Sequence, residues 1–197
     1  MNKEVNIKYF NFWSYFYNFD PISIWLLYRQ RKILNQINFK KSSSVLDVGC
    51  GPGRGLKFLY KKGLRNLYGL DLSPLMIKKA EKVLENKAIL KTTSVEKIPF
   101  NSEKFDYVIN TEAFHHFPDP NKAIKEMSRV LKKNGKLVLA DINYYFDFIH
   151  WLFKIIEPGY VKIYNEKEFQ ELFNKNKLKI IEQRRIGLFV VLTIGQK

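Results

Sequence analysis

Residues 45–55 read VLDVGCGPGRG: an apolar run containing Asp47, then glycine at every second position (Gly49, Gly51, Gly53 and Gly55). Glycine loses more backbone freedom on folding than any other residue, so a cluster of it marks a place where something comes close to bare chain. The stretch from Ser44 to Val48 reads as a buried strand, and the glycines follow at its carboxyl end. Two common nucleotide loops do not fit. A phosphate cradle of the Gly-x-x-x-x-Gly-Lys-Ser/Thr type requires a Lys-Ser/Thr pair that is absent here. The dinucleotide fingerprint Gly-x-Gly-x-x-Gly meets Arg54 when counted from Gly49 and Leu56 when counted from Gly51. What stands is Asp47-x-Gly49-x-Gly51-x-Gly53, with Cys50 inside it.

Outward from that loop, short apolar runs alternate with amphipathic segments. GLKFLYKKG is helical up to Gly63, and NLYGLD is a strand. SPLMIKKAEKVLEN begins with a capping serine, Ser73, followed by Pro74 at the first helical position. AILKTT and FDYVIN are strands, DPNKAIKEMSRVLKKNG predicts a helix ending at Gly135, and KLVLADI is a strand. This rhythm predicts an α/β fold: a parallel sheet with helices on both faces. After a helix near Glu166–Asn174, KLKIIEQRRIGLFVVLTIG predicts a hairpin about Gly187, one arm antiparallel to the rest. The whole is one domain: a helical cap over 1–41, a cofactor-binding core over 42–142, and an insert helix, a helix and a terminal β-hairpin over 143–197.

Composition narrows the classes. The 197 residues suit a single domain with a substantial core. One cysteine allows no internal disulfide, and with three histidines it argues against a zinc site; no metal is expected. No signal peptide is visible, and the greasiest stretch, Tyr9–Tyr28, carries Asn11, Asn18, Asp20 and Pro21; the expectation is a cytoplasmic protein with no spanning helix. Net charge is +15. It has two readings: an acidic partner, or the bias of an A/T-rich genome. Lysine outnumbers arginine 27 to 7, and isoleucine outnumbers alanine 19 to 5.

The glycine loop, together with Asp71 in YGLDLSPLMIKKA and the stretch TTSVEKIPFNSEKFDYVINTEAFHHFPDP, resembles the class I S-adenosylmethionine-dependent methyltransferases. The likeness is to the small-molecule branch that includes quinone-biosynthesis and phospholipid enzymes. It is strong over roughly 40–142. It implies a Rossmann-like sheet of seven strands, mostly parallel with the last antiparallel. It also implies S-adenosyl-L-methionine as cofactor and S-adenosyl-L-homocysteine as product. On this resemblance Gly49, Cys50, Gly51 and Gly53 form the cofactor loop. Asp47 offers an acceptor to the cofactor's ammonium or to the loop amides. Asp71, 22 residues after Gly49, takes both ribose hydroxyls. Leu72 and Met76 flank the adenine. Ser94 stands where the family usually has an aspartate on the adenine amino group, which leaves the amide of Val95 for adenine N1. Asn110 and Thr111, just after the fourth strand, lie beside the methionine part. In the pair of histidines that follows, His116 matches a structural position. His115 matches one that faces the reacting methyl, where a neutral imidazole can take a proton from the acceptor; the competing reading is that both histidines only hydrogen-bond the loop. The sequence FYNFD keeps a family tyrosine, Tyr17, with Asn18 in place of its aspartate partner.

For the acceptor the signals are thinner. A methyltransferase acting on exocyclic amines of nucleic acids would carry Asp/Asn-Pro-Pro-Tyr/Phe where this chain has Asn110-Thr111-Glu112-Ala113, so no specific nucleic acid is expected, and a small molecule is. Two aromatic regions suit a lid: Tyr9, Trp13 and Tyr17 at the start, and the segment with Phe146 and His150 after the fifth strand. Core packing is the competing reading of both. A lid implies an apolar or amphiphilic acceptor, and the basic surface then suits peripheral contact with an anionic membrane. Two other classes stay open at this point: a cofactor-binding protein without turnover, and a basic nucleic-acid-binding module.

Overall fold

The computed structural model describes residues 3–16, 21–143, 151 and 159–197. In chain order these form α1 (Lys3–Ser14), α2 (Pro21–Asn35), β1 (Ser44–Val48), α3 (Arg54–Lys61), β2 (Asn66–Asp71), α4 (Pro74–Leu84) and β3 (Ile89–Thr92). Then come β4 (Phe105–Thr111), α5 (Pro120–Val130), β5 (Leu131–Ile142), α6 (Glu166–Lys175), β6 (Lys179–Ile186) and β7 (Val190–Gln196). Single 3-10 turns occupy Val95–Lys97 and Phe114–His116. The seven strands make one sheet in the order β3-β2-β1-β4-β5-β7-β6. The pairs from β3 through β5 are parallel, while β7 is antiparallel to both β5 and β6.

Side chains alternate across this sheet as a two-residue period requires. Leu46, Val48, Val108, Leu137, Leu139 and Val191 face α5 and α6, where Met127, Phe169 and Phe173 complete one core. Val45, Tyr107, Ile109, Val138, Ala140 and Leu192 face the other way, onto Ile33 and Leu34 of α2, Leu56 and Leu59 of α3, and Ile77, Ala80 and Leu84 of α4. The sheet is covered on both faces, which is why its central strands read as continuous apolar runs. Helix starts follow local chemistry. The Ser73 hydroxyl accepts from Met76 N with Pro74 behind it, and the Asp119 carboxylate accepts from Lys122 N before Pro120. Asn165 and Glu168 form a reciprocal capping box on α6.

One element departs from the expected boundaries. The helix projected to reach Gly135 stops at Val130, and Leu131–Ile142 is strand throughout. Leu131 is already paired with Phe105 of β4, and its carbonyl accepts from Lys197 Nζ. A helical continuation would give up both. The expected insert helix over Phe146, Ile149, Phe153 and Ile156 lies outside the described residues, as do Tyr17 and His150.

Candidate active site

From β1 the chain steps outward to β2 and β3, then returns to the opposite side of β1 with β4. The loops that leave β1 and β4 therefore diverge, and a crevice opens at the carboxyl ends of those two strands. A cavity of about 310 Å³ occupies it, lined by Val48–Pro52, Leu70–Leu72, Met76, Thr93–Val95, Thr111–Ala113 and His115–Pro118. Residues of α1 (Asn6, Tyr9, Phe10, Trp13) and α2 (Trp25, Leu26, Leu27, Arg29, Gln30), with Arg54 and Ile142, complete the lining.

The four glycines divide by what a side chain would meet. A Cβ on Gly49 would come 2.9 Å from Ala113 Cβ, one on Gly53 2.9 Å from Leu84 Cδ1, and one on Gly55 2.9 Å from Gln30 Nε2. These three are held by protein against protein. Gly51, at φ +51, would meet nothing within 4 Å, so its bare backbone faces the cavity. The loop is also tied down: Gly49 N and Cys50 N both donate to Leu70 O, at 2.8 and 3.0 Å.

Three acidic side chains gather around this loop. Asp71 Oδ2 accepts from Gly51 N and its Oδ1 from Ser73 N, both at 2.8 Å. Each oxygen keeps a second lone pair, since an ionised carboxylate offers about four acceptor positions. Burial raises the Asp71 carboxyl above its ordinary value, and the amides of Ser73, Gly51 and Leu72 oppose that rise. Asp47 lies one layer beneath, fully buried, and neither of its oxygens has a hydrogen-bond partner among the described residues. Burial, then the nearby Asp71, pushes Asp47 up to about 7. Asp47 accepts no loop amide directly; those amides go to Leu70 O and Asp71. Glu112, at φ +55 just past β4, is pushed up to about 7 by burial, against the pull of Arg29.

Arg29 and Glu112 form a buried ion pair on the cavity wall, Nη2 to Oε1 at 2.5 Å, without the angle of a hydrogen bond. The Arg29 guanidinium also stacks over the Trp25 ring at 4.0 Å. Gln30 Nε2 donates to Thr111 Oγ1 at 2.8 Å, and Arg54 Nη1 to Ser23 O at 3.0 Å. Helix α2 is thus bound to the end of β4 and to the start of α3 by polar contacts, a role that its sequence, YRQRK, does not announce.

The histidines take different places. His115 Nδ1 lies 2.6 Å from Asp141 Oδ1, and His115 N donates to Asp141 Oδ2 at 2.7 Å. Asp141, at the end of β5, is 1% exposed and also receives Ile142 N. It fixes His115 by backbone and ring together. His116 Nδ1 pairs with Gly159 O at 2.9 Å, and its ring meets Phe10 edge-on at 4.8 Å. Asn6 Nδ2 donates to His116 O, so α1 is latched to this turn. Burial, with His115 beside it, holds the His116 imidazole well below the ordinary histidine range, neutral at pH 7.

Of the residues singled out in the sequence, Gly49, Cys50, Gly51, Asp71, Leu72, Met76, Ser94, Val95, Thr111, His115, Tyr9 and Trp13 all border this one cavity. Asp47, Gly53 and Asn110 do not; they support it from below. Asn110 Nδ2 donates to Val48 O at 2.7 Å and so clamps β4 to β1. Asn110 and Thr111 belong to β4 itself rather than to the loop after it, because Thr111 still pairs with Ala140. The Ser94 hydroxyl accepts from Glu96 N at 3.3 Å, capping its own turn.

Comparison with known proteins agrees with this architecture. Residues 46–139 match the methyltransferase domain family. Over 145 residues the chain is 28% identical to the uncharacterised methyltransferase YcgJ of Bacillus subtilis, covering 68% of this chain and 56% of that protein. Over 106 residues it is 34% identical to the chloroplastic tocopherol O-methyltransferase of Arabidopsis thaliana, covering 51% of this chain and 30% of that one. The chain spans about half the length, or less, of the first curated relatives it matches. A SAM-dependent methyltransferase from Aquifex aeolicus superposes over 100% of this chain and 98% of its own with a TM-score of 0.73 at 20% identity. Residues 46–139 match a methyltransferase domain, and the seven-stranded sheet they belong to has the fold of the class I S-adenosylmethionine-dependent methyltransferases.

Proposed function

We propose that this chain transfers a methyl group from S-adenosylmethionine to a small apolar or amphiphilic acceptor, releasing S-adenosylhomocysteine. One observation carries the reading: a single cavity at the ends of β1 and β4 brings together Gly51, Asp71 and His115, with aromatic and leucine side chains on its far side. The residues fit the cofactor's chemistry. Asp71 has lone pairs for two ribose hydroxyls. Beneath the lining, the partnerless carboxylate of Asp47 and the unsatisfied Asn110 Oδ1 give the floor of the cavity a negative potential that favours an ammonium group above it. Arg29 is a buried cation suited to a carboxylate, and Leu72, Met76 and Val95 offer an apolar slot for adenine. Bound there, the cofactor supplies an electrophilic methyl on a sulfonium.

The chain's own part is positioning and proton handling. With Nδ1–H donated to Asp141, the proton-accepting nitrogen of His115 is Nε2. An acceptor hydroxyl, amine or activated carbon gives up a proton as it gains a methyl. His115 Nε2 takes that proton, and Asp141 steadies the imidazolium. Tyr9, Trp13, Trp25, Leu26 and Leu27 exclude water and favour an acceptor with an apolar body. The tocopherol relative acts on such a molecule by name.

The test is a screen of lipid, quinone and polar-metabolite fractions with methyl-labelled S-adenosylmethionine. Label entering organic-phase products supports the reading. Label entering only polar products would overturn the apolar acceptor, and no label in any fraction despite measured cofactor binding would overturn turnover.

A further inference from the structure

Helices α1 and α2 are apolar on two sides. One side lines the cavity. On the other, Phe12, Tyr15, Phe16, Ile24, Trp25 and Tyr28 are between 45% and 66% exposed. Ile24, Trp25 and Tyr28 lie three or four residues apart along α2, while Phe12 near the end of α1 is followed by Tyr15 and Phe16 in the turn just past Ser14. The Phe12 and Phe16 rings lie 5.3 Å apart, and Trp25 both borders the cavity and reaches the surface. A helix with an apolar stripe toward its own domain normally turns polar residues outward. Large exposed apolar patches mark a surface that meets something else.

Charge says what that is. Helix α1 packs on α4, and α1, α2 and α4 together carry eight Lys or Arg against two Glu. The cations stand beside the rings: Lys79 Nζ donates to Ser14 O and lies 5.7 Å from the Tyr15 ring, while Arg31 and Lys32 follow Tyr28 as exposed residues. Aromatic rings flanked by lysine and arginine suit a lipid interface. The rings enter at headgroup depth, and the cations meet the phosphates of anionic lipids. No helix among the described residues is long and apolar enough to cross a membrane. We propose that the outer face of α1 and α2 seats on an anionic bilayer, which brings the cavity up to acceptors dissolved in lipid.

The docking half needs neither cofactor nor turnover, so it can fail while methyl transfer stands, and the reverse. The link to the acceptor rests on the function proposed above. The experiment is sedimentation of the whole chain with phosphatidylcholine vesicles, and with the same vesicles containing phosphatidylglycerol. Binding should be at least about tenfold tighter on the anionic vesicles and shift tryptophan emission to the blue. Phe12→Ser with Phe16→Ser should lower that affinity about tenfold or more while the circular dichroism and melting temperature stay as in the parent. Arg31→Glu with Lys32→Glu should weaken anionic binding without altering the fold. Absence of binding to either vesicle overturns the proposal. So does binding that added salt removes but the Phe12/Phe16 double variant leaves intact, since charge alone then accounts for it. A dimer in sedimentation velocity that this double variant dissociates, with no vesicle binding, assigns the face to a second copy and equally overturns it.

Discussion

Replacing Asp71 with alanine should damage cofactor binding and loop stability separately, and the two can be measured apart. The parent carboxylate holds Gly51 N and Ser73 N, each at 2.8 Å, with one lone pair per oxygen remaining. Alanine removes the loop contacts and the ribose acceptor together. The freed Gly51 amide borders the cavity and regains water, while Ser73 is fully buried and its amide is left unsatisfied, so the stability loss should be about 1–3 kcal/mol, or about 2–12 °C in melting temperature for a chain of this size. Binding loses hydrogen bonds to a charged acceptor, worth about 1.5–3 kcal/mol, or about ten- to 150-fold in Kd. Asp71→Asn sharpens the test. Both amides are donors, and an asparagine has one acceptor oxygen, so one of its contacts becomes donor against donor. That variant should be no more stable than Asp71→Ala. Its Nδ2 can still donate to a ribose oxygen, so its loss of affinity should be the smaller of the two. Titration calorimetry with S-adenosylhomocysteine reads the first quantity and thermal melting the second. If Asp71→Ala folds cooperatively and binds S-adenosylhomocysteine within a factor of two of the parent, the ribose lies elsewhere and the assignment of the cavity is wrong.

Asp47 predicts a pH dependence with opposite signs for stability and binding. Its folded value of about 7 lies above the unfolded value of about 3.9, so its contribution to stability is full below pH 4 and lost as pH rises through 7. A cofactor ammonium favours the ionised form, so affinity should rise with pH up to about 7, with proton release seen as buffer-dependent binding enthalpy; Asp47→Asn should abolish both trends. His115→Ala should lower turnover roughly 10²–10⁴-fold with cofactor affinity nearly unchanged, and Asp141→Asn should follow it and shift the ascending limb of the pH–rate profile. A loss under threefold for His115→Ala would make that residue part of the wall. His116→Ala should instead lower the melting temperature, since it leaves Gly159 O without its ring partner and removes the edge-on contact with Phe10 of α1. Gly51→Ala should cost about 1–2 kcal/mol, the left-handed penalty alone, yet block S-adenosylhomocysteine. Gly53→Ala should cost more in urea denaturation because its methyl meets Ala80 and Leu84.

Much of this was legible because local chemistry and tertiary structure agree. The Ser73-Pro74 start of α4, the hairpin at Gly187 and the apolar central strands need no distant partner to be recognised. Residues missed were those whose role depends on who sits opposite. Arg29 lies 83 positions from Glu112, and on its own it is one of several basic residues on an amphipathic helix. Asp141 ends a strand whose sequence, LADI, gives no hint that a histidine 26 residues earlier returns to it. The end of α5 was misread for the same reason. Lys132–Gly135 continues a helical pattern locally, while pairing with β4 and the contacts of Lys197 favour the extended form. In the glycine loop the sequence pattern marks close approach, but only the packed structure separates Gly51, which leaves room for a ligand, from the three glycines that leave room for protein.

The position of β7 has a consequence for how the chain assembles. It lies between β5 and β6, although it follows both in sequence. Strand β6 therefore has no place in the sheet until β7 exists, and the two should dock as a preformed hairpin onto the edge of β5. During synthesis that edge, Lys136–Ile142, stays uncovered until residue 196 has left the ribosome. Its apolar side chains and unpaired amides are then open to pairing with other chains. Joining β5 to β7 spans 48 to 60 residues of sequence and joining β4 to β1 spans 62, against about twenty for β3 with β2, so these two non-local pairings should limit the rate of folding.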